Sequence, residues 1–376
     1  KEKKKNKRVH QKDMKRLLNF CQSPFIFWKN MVYYNQNKPQ TDSNTIHNEN
    51  SKYNIQEGIS MSTDNRKIVL IGTGMVGMSY AYALLNQNAC DELVLIDINK
   101  ERAMGEAMDL NHGLAFSSSH MKIYAGDYSD CETADIVVIC AGVAQKEGES
   151  RLDLLQRNVE VFRSIINPVT ESGFNGIFLV ATNPVDIMTH VTCTLSGFNP
   201  RRVFGSGTAL DTARLRYMVG DYFSVDPRNI HAYVIGEHGD SEFVPWSQAL
   251  LATKPITEII EQSNGKYKLE DLEPIEQEVR GAAQRIIKAK RATYYGIGMA
   301  LVRITKAILG NESSVLTVSA MLRGEYGVSN VYAGLPCIVN RNGIQSILPL
   351  SLSEEEIQKF QASCKTLKEY YDGLNF

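Results

Sequence analysis

No run of about 18 apolar residues occurs in the sequence, so no segment has the length and apolarity of a membrane-crossing helix. The seven cysteines (Cys21, Cys90, Cys131, Cys140, Cys193, Cys337, Cys364) form no Cys-x-x-Cys pair and are odd in number. Both a zinc ribbon and a disulfide scaffold are thereby disfavoured, and a reducing, cytoplasmic compartment is expected. Five histidines (His10, His47, His112, His120, His190) have no ligand-type residue at metal-binding spacing, and no metal is expected. A dominant charge sign is missing too: 41 Lys/Arg stand against 42 Asp/Glu, a net charge of −1. Residues 1–20 hold nine of the bases and two of the acids, which leaves 32 bases against 40 acids, or −8, in residues 21–376. A body so charged is a poor polyanion binder, so no nucleic-acid partner is expected.

What is present is a chain of 376 residues, 43% hydrophobic, long enough for two domains with sizeable cores. The first sixty residues stand apart. A basic block, KEKKKNKRVHQKDMKRLL, is followed by the Asn/Gln-rich NQNKPQTDSNTIHNENSKYN, a composition too polar to offset chain entropy by burial. Asn19, Gln22, Ser23 and Lys29 interrupt the apolar part, which argues against a secretory signal. Met61 opens MSTDNRKIVLIG like an ordinary start before a strand. The expected organisation is a disordered leader or mis-extended frame over 1–60, dispensable for activity, a cofactor domain over 61–207 and a substrate domain over 208–376.

Lys67–Ile71 reads as a buried parallel strand, and Gly72-Thr73-Gly74-Met75-Val76-Gly77 follows at once, with a helical pattern over Met78–Asn86. Strand, G-x-G-x-x-G and helix together form a dinucleotide cradle. Gly72 permits the tight turn, Gly74 lets a pyrophosphate approach the backbone, and Gly77 lets helix and strand pack closely, while Met75 and Val76 place the helix N-terminus at the phosphates. A second strand, Glu92–Ile98, carries Asp97 twenty positions past Gly77, where a carboxylate accepts hydrogen bonds from a ribose diol and repels a 2′-phosphate. NAD is therefore expected over NADP. Further apolar runs at Asp135–Ala141 and Gly176–Ala181, with a helical pattern over Arg151–Asn167 between them, extend this to a Rossmann-type doubly wound parallel sheet. Ligands of such sheets sit outside the carboxyl ends of the strands, which puts Gly142–Arg151 and Thr182–Asp186 in the crevice. Val315–Ala320 and Val331–Val339 read as antiparallel strands of an α+β second domain. Ser353 and Glu356 form a capping box before a helix with Ile357, Phe360, Cys364 and Leu367 on one face.

Five polar segments remain: VAQKEGESR (143–151), a candidate lid; TNPVD (182–186); GSGTALDTARLR (205–216); GEHGD (236–240); and ATYYG (292–296), placed on one long helix over Gln284–Leu309. In this order after GTGMVG, they make the chain from about Arg66 onward resemble the lactate/malate dehydrogenase family, and within it the bacterial-type L-lactate dehydrogenases. The resemblance implies reversible, NADH-dependent reduction of pyruvate to L-lactate in fermentative glycolysis, by a homotetramer.

It also implies roles. His238 is the proton donor and acceptor, a group whose charge changes near neutral pH, and Asp211 is the carboxylate that fixes its tautomer. Arg214, three residues on, anchors the substrate carboxylate through its guanidinium fork. Arg151 approaches the carbonyl oxygen when the lid closes and stabilises developing alkoxide. Asn183 orients substrate oxygen and nicotinamide ribose, and Thr293 lies near the nicotinamide and the substrate methyl. Asp186, the rival carboxylate, reads as structural. Gln145 takes the lid position that carries Gln for pyruvate and Arg for oxaloacetate, since a second substrate carboxylate in a closed dry site needs a partner. Arg216 and His231 fall where similar enzymes bind fructose 1,6-bisphosphate across a subunit interface. Left open are a malate or branched 2-hydroxyacid dehydrogenase and a non-catalytic NAD-binding protein on the same fold.

Overall fold

The structure is a computed structural model that describes residues 66–143, 148 and 150–376, with the side chain of Arg151 excluded. The expected leader and Gln145 therefore lie outside the described residues. Five consecutive buried residues, Lys67–Ile71, form β1. The chain then runs α1 (Met75–Gln87), β2 (Glu92–Ile96), α2 (Lys100–Leu114), β3 (Lys122–Ala125), β4 (Ile136–Ile139), α3 (Arg151–Glu171), β5 (Ile177–Val180), α4 (Val185–Ser196) and β6 (Val203–Gly205). The second half holds α5 (Ala209–Phe223), β7 (Ile230–His231), β8 (Leu250–Leu251), β9 (Lys254–Pro255), α6 (Ile256–Glu261), α7 (Leu272–Lys290), α8 (Tyr295–Leu309), β10 (Ser314–Arg323), β11 (Ser329–Asn340), β12 (Gly343–Ile347) and α9 (Glu354–Asp372).

Strands β1 to β6 pair in parallel in the order β3-β2-β1-β4-β5-β6. Alternation along each strand feeds two cores. Val69, Ile71, Val137 and Ile139 face one that contains Phe162 of α3, whereas Ile68, Leu70, Ile136 and Val138 face another that contains Tyr80, Leu84, Ile304 and Ile308. Burial on both faces explains why these strands are continuous apolar runs and not alternating ones. The strand order reverses at β1/β4, so a crevice opens where the loops after β1 and β4 diverge.

The antiparallel strands expected in the second half are present. They continue the parallel sheet, because β10 pairs with β6 at Ser319 opposite Gly205, and β11 and β12 follow. The expected helix over Gln284–Leu309 is two helices. Arg291 adopts φ 72° between α7 and α8, and Lys290 lies over the ring of Tyr294 at 3.5 Å from its centroid. The break has a packing cause: α7 buries Leu272 and Val279 in a third core with α5, while α8 buries Leu301, Val302 and Ile304 against the sheet. One straight helix could not reach both. The capping box of α9 forms as expected, and Phe360, Cys364 and Leu367 are buried.

The three motif glycines have different physical reasons. Gly72 has φ +99°, and a Cβ there would stand 2.5 Å from the backbone nitrogen of Ala141. At Gly77 a Cβ would meet the Gly72 carbonyl oxygen at 2.0 Å, whereas at Gly74 it would meet nothing within 4 Å. Gly77→Ala is accordingly expected to destabilise the fold by about 1–3 kcal/mol or more, read as a lowered urea midpoint. Gly74→Ala should leave that midpoint near its original value and weaken only dinucleotide binding.

Candidate active site

The cofactor end is built from the loops after β1 and β2. Asp97 accepts from the Thr73 amide at 2.8 Å and hydroxyl at 2.9 Å through one oxygen, and from the Asn99 amide at 2.9 Å through the other. Burial opposes its charge, but these bonds hold its carboxyl below the ordinary value. A fixed carboxylate at the end of β2 fits a ribose diol. The open space beside Gly74, at the N-terminus of α1, fits a pyrophosphate. A chain of contacts leads from here to the substrate end. Gly72 abuts Ala141, whose carbonyl accepts the Thr182 hydroxyl at 2.7 Å, and Thr182 precedes Asn183.

The substrate end is a cavity of about 260 Å³ lined by Asn183, Pro184, Asp211, Arg214, His238, Gly239, Asp240, Glu242, Arg280, Ala283 and Gln284. Four residues singled out from separate stretches of sequence thus converge: Asn183 before α4, Asp211 and Arg214 on α5, and His238 on the loop after β7. Several contacts pin that loop. Gly236 and Gly334 exchange backbone bonds at 3.0 and 2.7 Å, and the Thr208 hydroxyl donates to the Val234 carbonyl at 2.6 Å. From α9 the Ser363 hydroxyl accepts the Glu237 amide at 2.8 Å. Asp186, in the first turn of α4, accepts the His238 amide at 2.8 Å and the Ser319 hydroxyl at 2.5 Å. Its carboxylate therefore fastens the His238 loop to β10, and burial pushes it up to about 6.

His238 Nδ1 lies 2.6 Å from Asp211 Oδ2, and Asp211 Oδ1 accepts Arg214 Nη1 at 2.6 Å. Burial would favour the neutral imidazole, but Asp211, then Glu242 and Asp186, reverse that and raise it to about 9. Burial likewise opposes the Asp211 charge, yet His238 and Arg214 hold its carboxyl below the ordinary value. With Nδ1 engaged by Asp211, the other ring nitrogen is the one available to a substrate. Asp211, His238 and Glu242 offer ligand atoms within 4.8 Å of one another, but a cation there would have to break the His238–Asp211 bond.

Other expectations fare differently. Thr293 sits in the break between α7 and α8 and is absent from the cavity lining. Arg151 opens α3 after Ser150, whose hydroxyl accepts the Asp153 amide, and its side chain lies outside the description, as does Gln145. Arg216 turns away: its Nε donates to the Ala232 carbonyl at 3.1 Å, and its guanidinium lies 5.1 Å from the Tyr233 ring centroid. His231 is exposed at the end of β7. Sequence reasoning missed Glu242 and Arg280. The only signal for Glu242 was a carboxylate four residues past His238, and nothing local says that it is buried.

Known proteins resemble the chain over nearly all of its described residues. Residues 66–205 match the family described as lactate/malate dehydrogenase, NAD binding domain, and residues 208–374 its alpha/beta C-terminal domain. An L-lactate dehydrogenase of Geobacillus sp. (strain WCH70) is 56% identical over 312 residues, 82% of this chain and 98% of that protein. L-lactate dehydrogenase 2 of Bacillus anthracis is 55% identical over 303 residues, 81% of this chain and 96% of its own. Among solved structures, a lactate dehydrogenase from a Medee basin deep-sea metagenome library superposes with a TM-score of 0.81 at 52% identity, covering 83% of this chain and 99% of that one. The minor L-lactate dehydrogenase from Enterococcus mundtii, in its ligands-bound form, gives a TM-score of 0.81 at 46% identity, with 83% and 99% covered.

Proposed function

Since the chain belongs to the lactate/malate dehydrogenase family, we infer that it is an NAD-dependent L-lactate dehydrogenase, interconverting pyruvate and L-lactate. The observation that carries the reading is the convergence of His238, Asp211, Arg214 and Asn183 on one small cavity. The dinucleotide supplies the hydride. Gly72–Gly77 and Asp97 would hold its pyrophosphate and adenosine ribose. On the substrate side, Arg214 keeps donors of its fork beyond the one given to Asp211, and these suit a carboxylate. His238, charged below about 9, delivers a proton to the ketone oxygen from the ring nitrogen opposite Asp211, and Asn183 orients that oxygen. Arg151 and Gln145 are assigned to the closing lid, Arg151 to stabilise oxyanion charge and Gln145 to choose a methyl over a second carboxylate. Thr293 is assigned a place beside the nicotinamide, at the kink leading into α8.

The domain division proposed is a cofactor domain ending near residue 207 and a substrate domain beyond it, with 1–60 dispensable. A cytoplasmic homotetramer is proposed. Its support is the apolar exposure of Met75 and Tyr82 on α1 and of Tyr295 and Met299 on α8, two helices packed together. No described helix is long and apolar enough to cross a membrane. Fructose 1,6-bisphosphate is proposed to bind Arg216, midway along α5, and His231, at the end of the adjacent β7, and would have to draw Arg216 off the Ala232 carbonyl.

One assay tests these points: NADH oxidation with pyruvate, oxaloacetate and 2-oxoisocaproate, each with and without the sugar bisphosphate. Pyruvate should have the highest kcat/KM. A preference for either other acid overturns the substrate, and a pyruvate saturation curve indifferent to the bisphosphate removes the activator.

A further inference from the structure

His238 Nδ1 has two carboxylates near it. Asp211 Oδ2 is at 2.6 Å and Glu242 Oε2 at 4.0 Å, and their side chains are 2% and 5% exposed. The two are not equivalent. Asp211 has its own cation in Arg214. Arg280, which lines the same cavity as Glu242, spends its Nη2 on the Glu242 backbone carbonyl at 2.8 Å and on Glu276 Oε1 at 3.0 Å. Among the described residues, the Glu242 carboxylate has one ion-pair distance within 4.0 Å, and it is to His238. Glu242 also stands in the wall between the substrate cavity and a second cavity of about 700 Å³, which it lines with Asp240, Glu276, Arg280 and Lys359.

We propose that Glu242 is a positioning residue for the proton donor: its buried carboxylate, 4.0 Å from Nδ1, shares the imidazolium charge of His238 and keeps that ring protonated to a higher pH than Asp211 alone would. The proposal rests on the lactate dehydrogenase reading and adds a third member to its His–Asp pair. The electrostatics follow from burial. A carboxylate enclosed beside Asp211 is costly while the imidazole is neutral, and becomes favourable once it is protonated. Burial and Asp211 push the Glu242 carboxyl up to about 8, and His238 first, then Arg214 and Arg280, oppose them. The charged groups around the pair are Asp211 and Arg214 from α5, Asp186 from α4, Asp240 from the His238 loop, Glu273, Glu276 and Arg280 from α7, and Lys359 from α9, so Glu242 acts within a set of mixed sign.

Removing this carboxylate takes negative charge from beside the imidazolium, so the His238 pKa must fall. Pyruvate reduction requires the charged ring, and its alkaline limb should move to lower pH. Lactate oxidation requires the neutral ring, and its acid limb should move the same way. The test is Glu242→Gln in the full chain, with kcat/KM for pyruvate and for lactate measured across pH 6 to 10 and the His238 ring titrated by NMR in the NADH complex. Both limbs and the ring titration should descend together by about one unit, which raises KM for pyruvate about tenfold above the limb. Limbs and titration that superpose on those of the unchanged enzyme overturn the proposal. So does a uniform loss at all pH values with unmoved limbs, the mark of a purely structural role. Should the glutamine variant fail to fold, Glu242→Asp is read the same way: a smaller descent supports the proposal and none overturns it. If the unchanged enzyme does not reduce pyruvate, the functional reading fails, while the NMR titration still decides what Glu242 does to the ring.

Discussion

His238→Gln is expected to lower kcat for pyruvate reduction by about 10²- to 10⁴-fold while NADH still binds with its original affinity. Glutamine roughly preserves the size of the ring and offers an amide that can still donate to Asp211 Oδ2, now 2.6 Å from Nδ1. What it lacks is a proton that can be released near neutral pH. The backbone of the loop is held independently, through the residue-238 amide to Asp186 and the Glu237 amide to Ser363, so the substitution removes chemistry and leaves the fold. Steady-state kinetics with a fluorescence titration of NADH separate the two effects. A variant that retains more than a tenth of the original kcat would remove His238 as proton donor. The sign with pH follows from the raised value. The imidazole is charged below about 9 and neutral above it, so in the unchanged enzyme reduction should fall, and oxidation rise, as pH passes through that region.

Gln145→Arg is expected to move the preference from pyruvate toward oxaloacetate. With glutamine in the lid, closure over oxaloacetate buries a second carboxylate with no cation to meet it, at about 3–5 kcal/mol. An arginine supplies the fork that pairs it. With pyruvate the same arginine becomes the unpaired buried charge. The ratio of kcat/KM for oxaloacetate to that for pyruvate should therefore rise by roughly 10²- to 10³-fold. A ratio that stays put would show that another residue reads the substrate, and Lys146 beside it would be the first to examine.

The cofactor cradle was readable because its determinants are local. An aliphatic run, three spaced glycines and an acid at the end of the next strand are all set within about thirty residues by backbone sterics and strand packing. The structure then divides the glycines by cause: Gly72 and Gly77 because a Cβ would strike backbone, Gly74 because it borders open space. The break at Arg291 was not readable, since no Gly or Pro stands between Gln284 and Tyr295 to mark it. Only the two different cores that α7 and α8 serve demand a kink there. The joining of β10 to β6 was hidden for a similar reason, as strand pairing across so long an interval leaves no trace in either strand's own pattern.

The motifs alone determined which chemistry is available: an imidazole, a carboxylate and guanidinium groups in GEHGD, LDTARLR and the lid, each readable because side-chain type sets acid–base and hydrogen-bonding capacity wherever the residue lies. Distance and dielectric belong to the fold. That Asp211 bonds His238 and Arg214 at once, that Asp186 grips the loop by its backbone, and that Glu242 is buried against the same ring depend on helices and loops remote in sequence arriving together. Charge interactions strengthen steeply as water is excluded, and exclusion is a property of the packed chain.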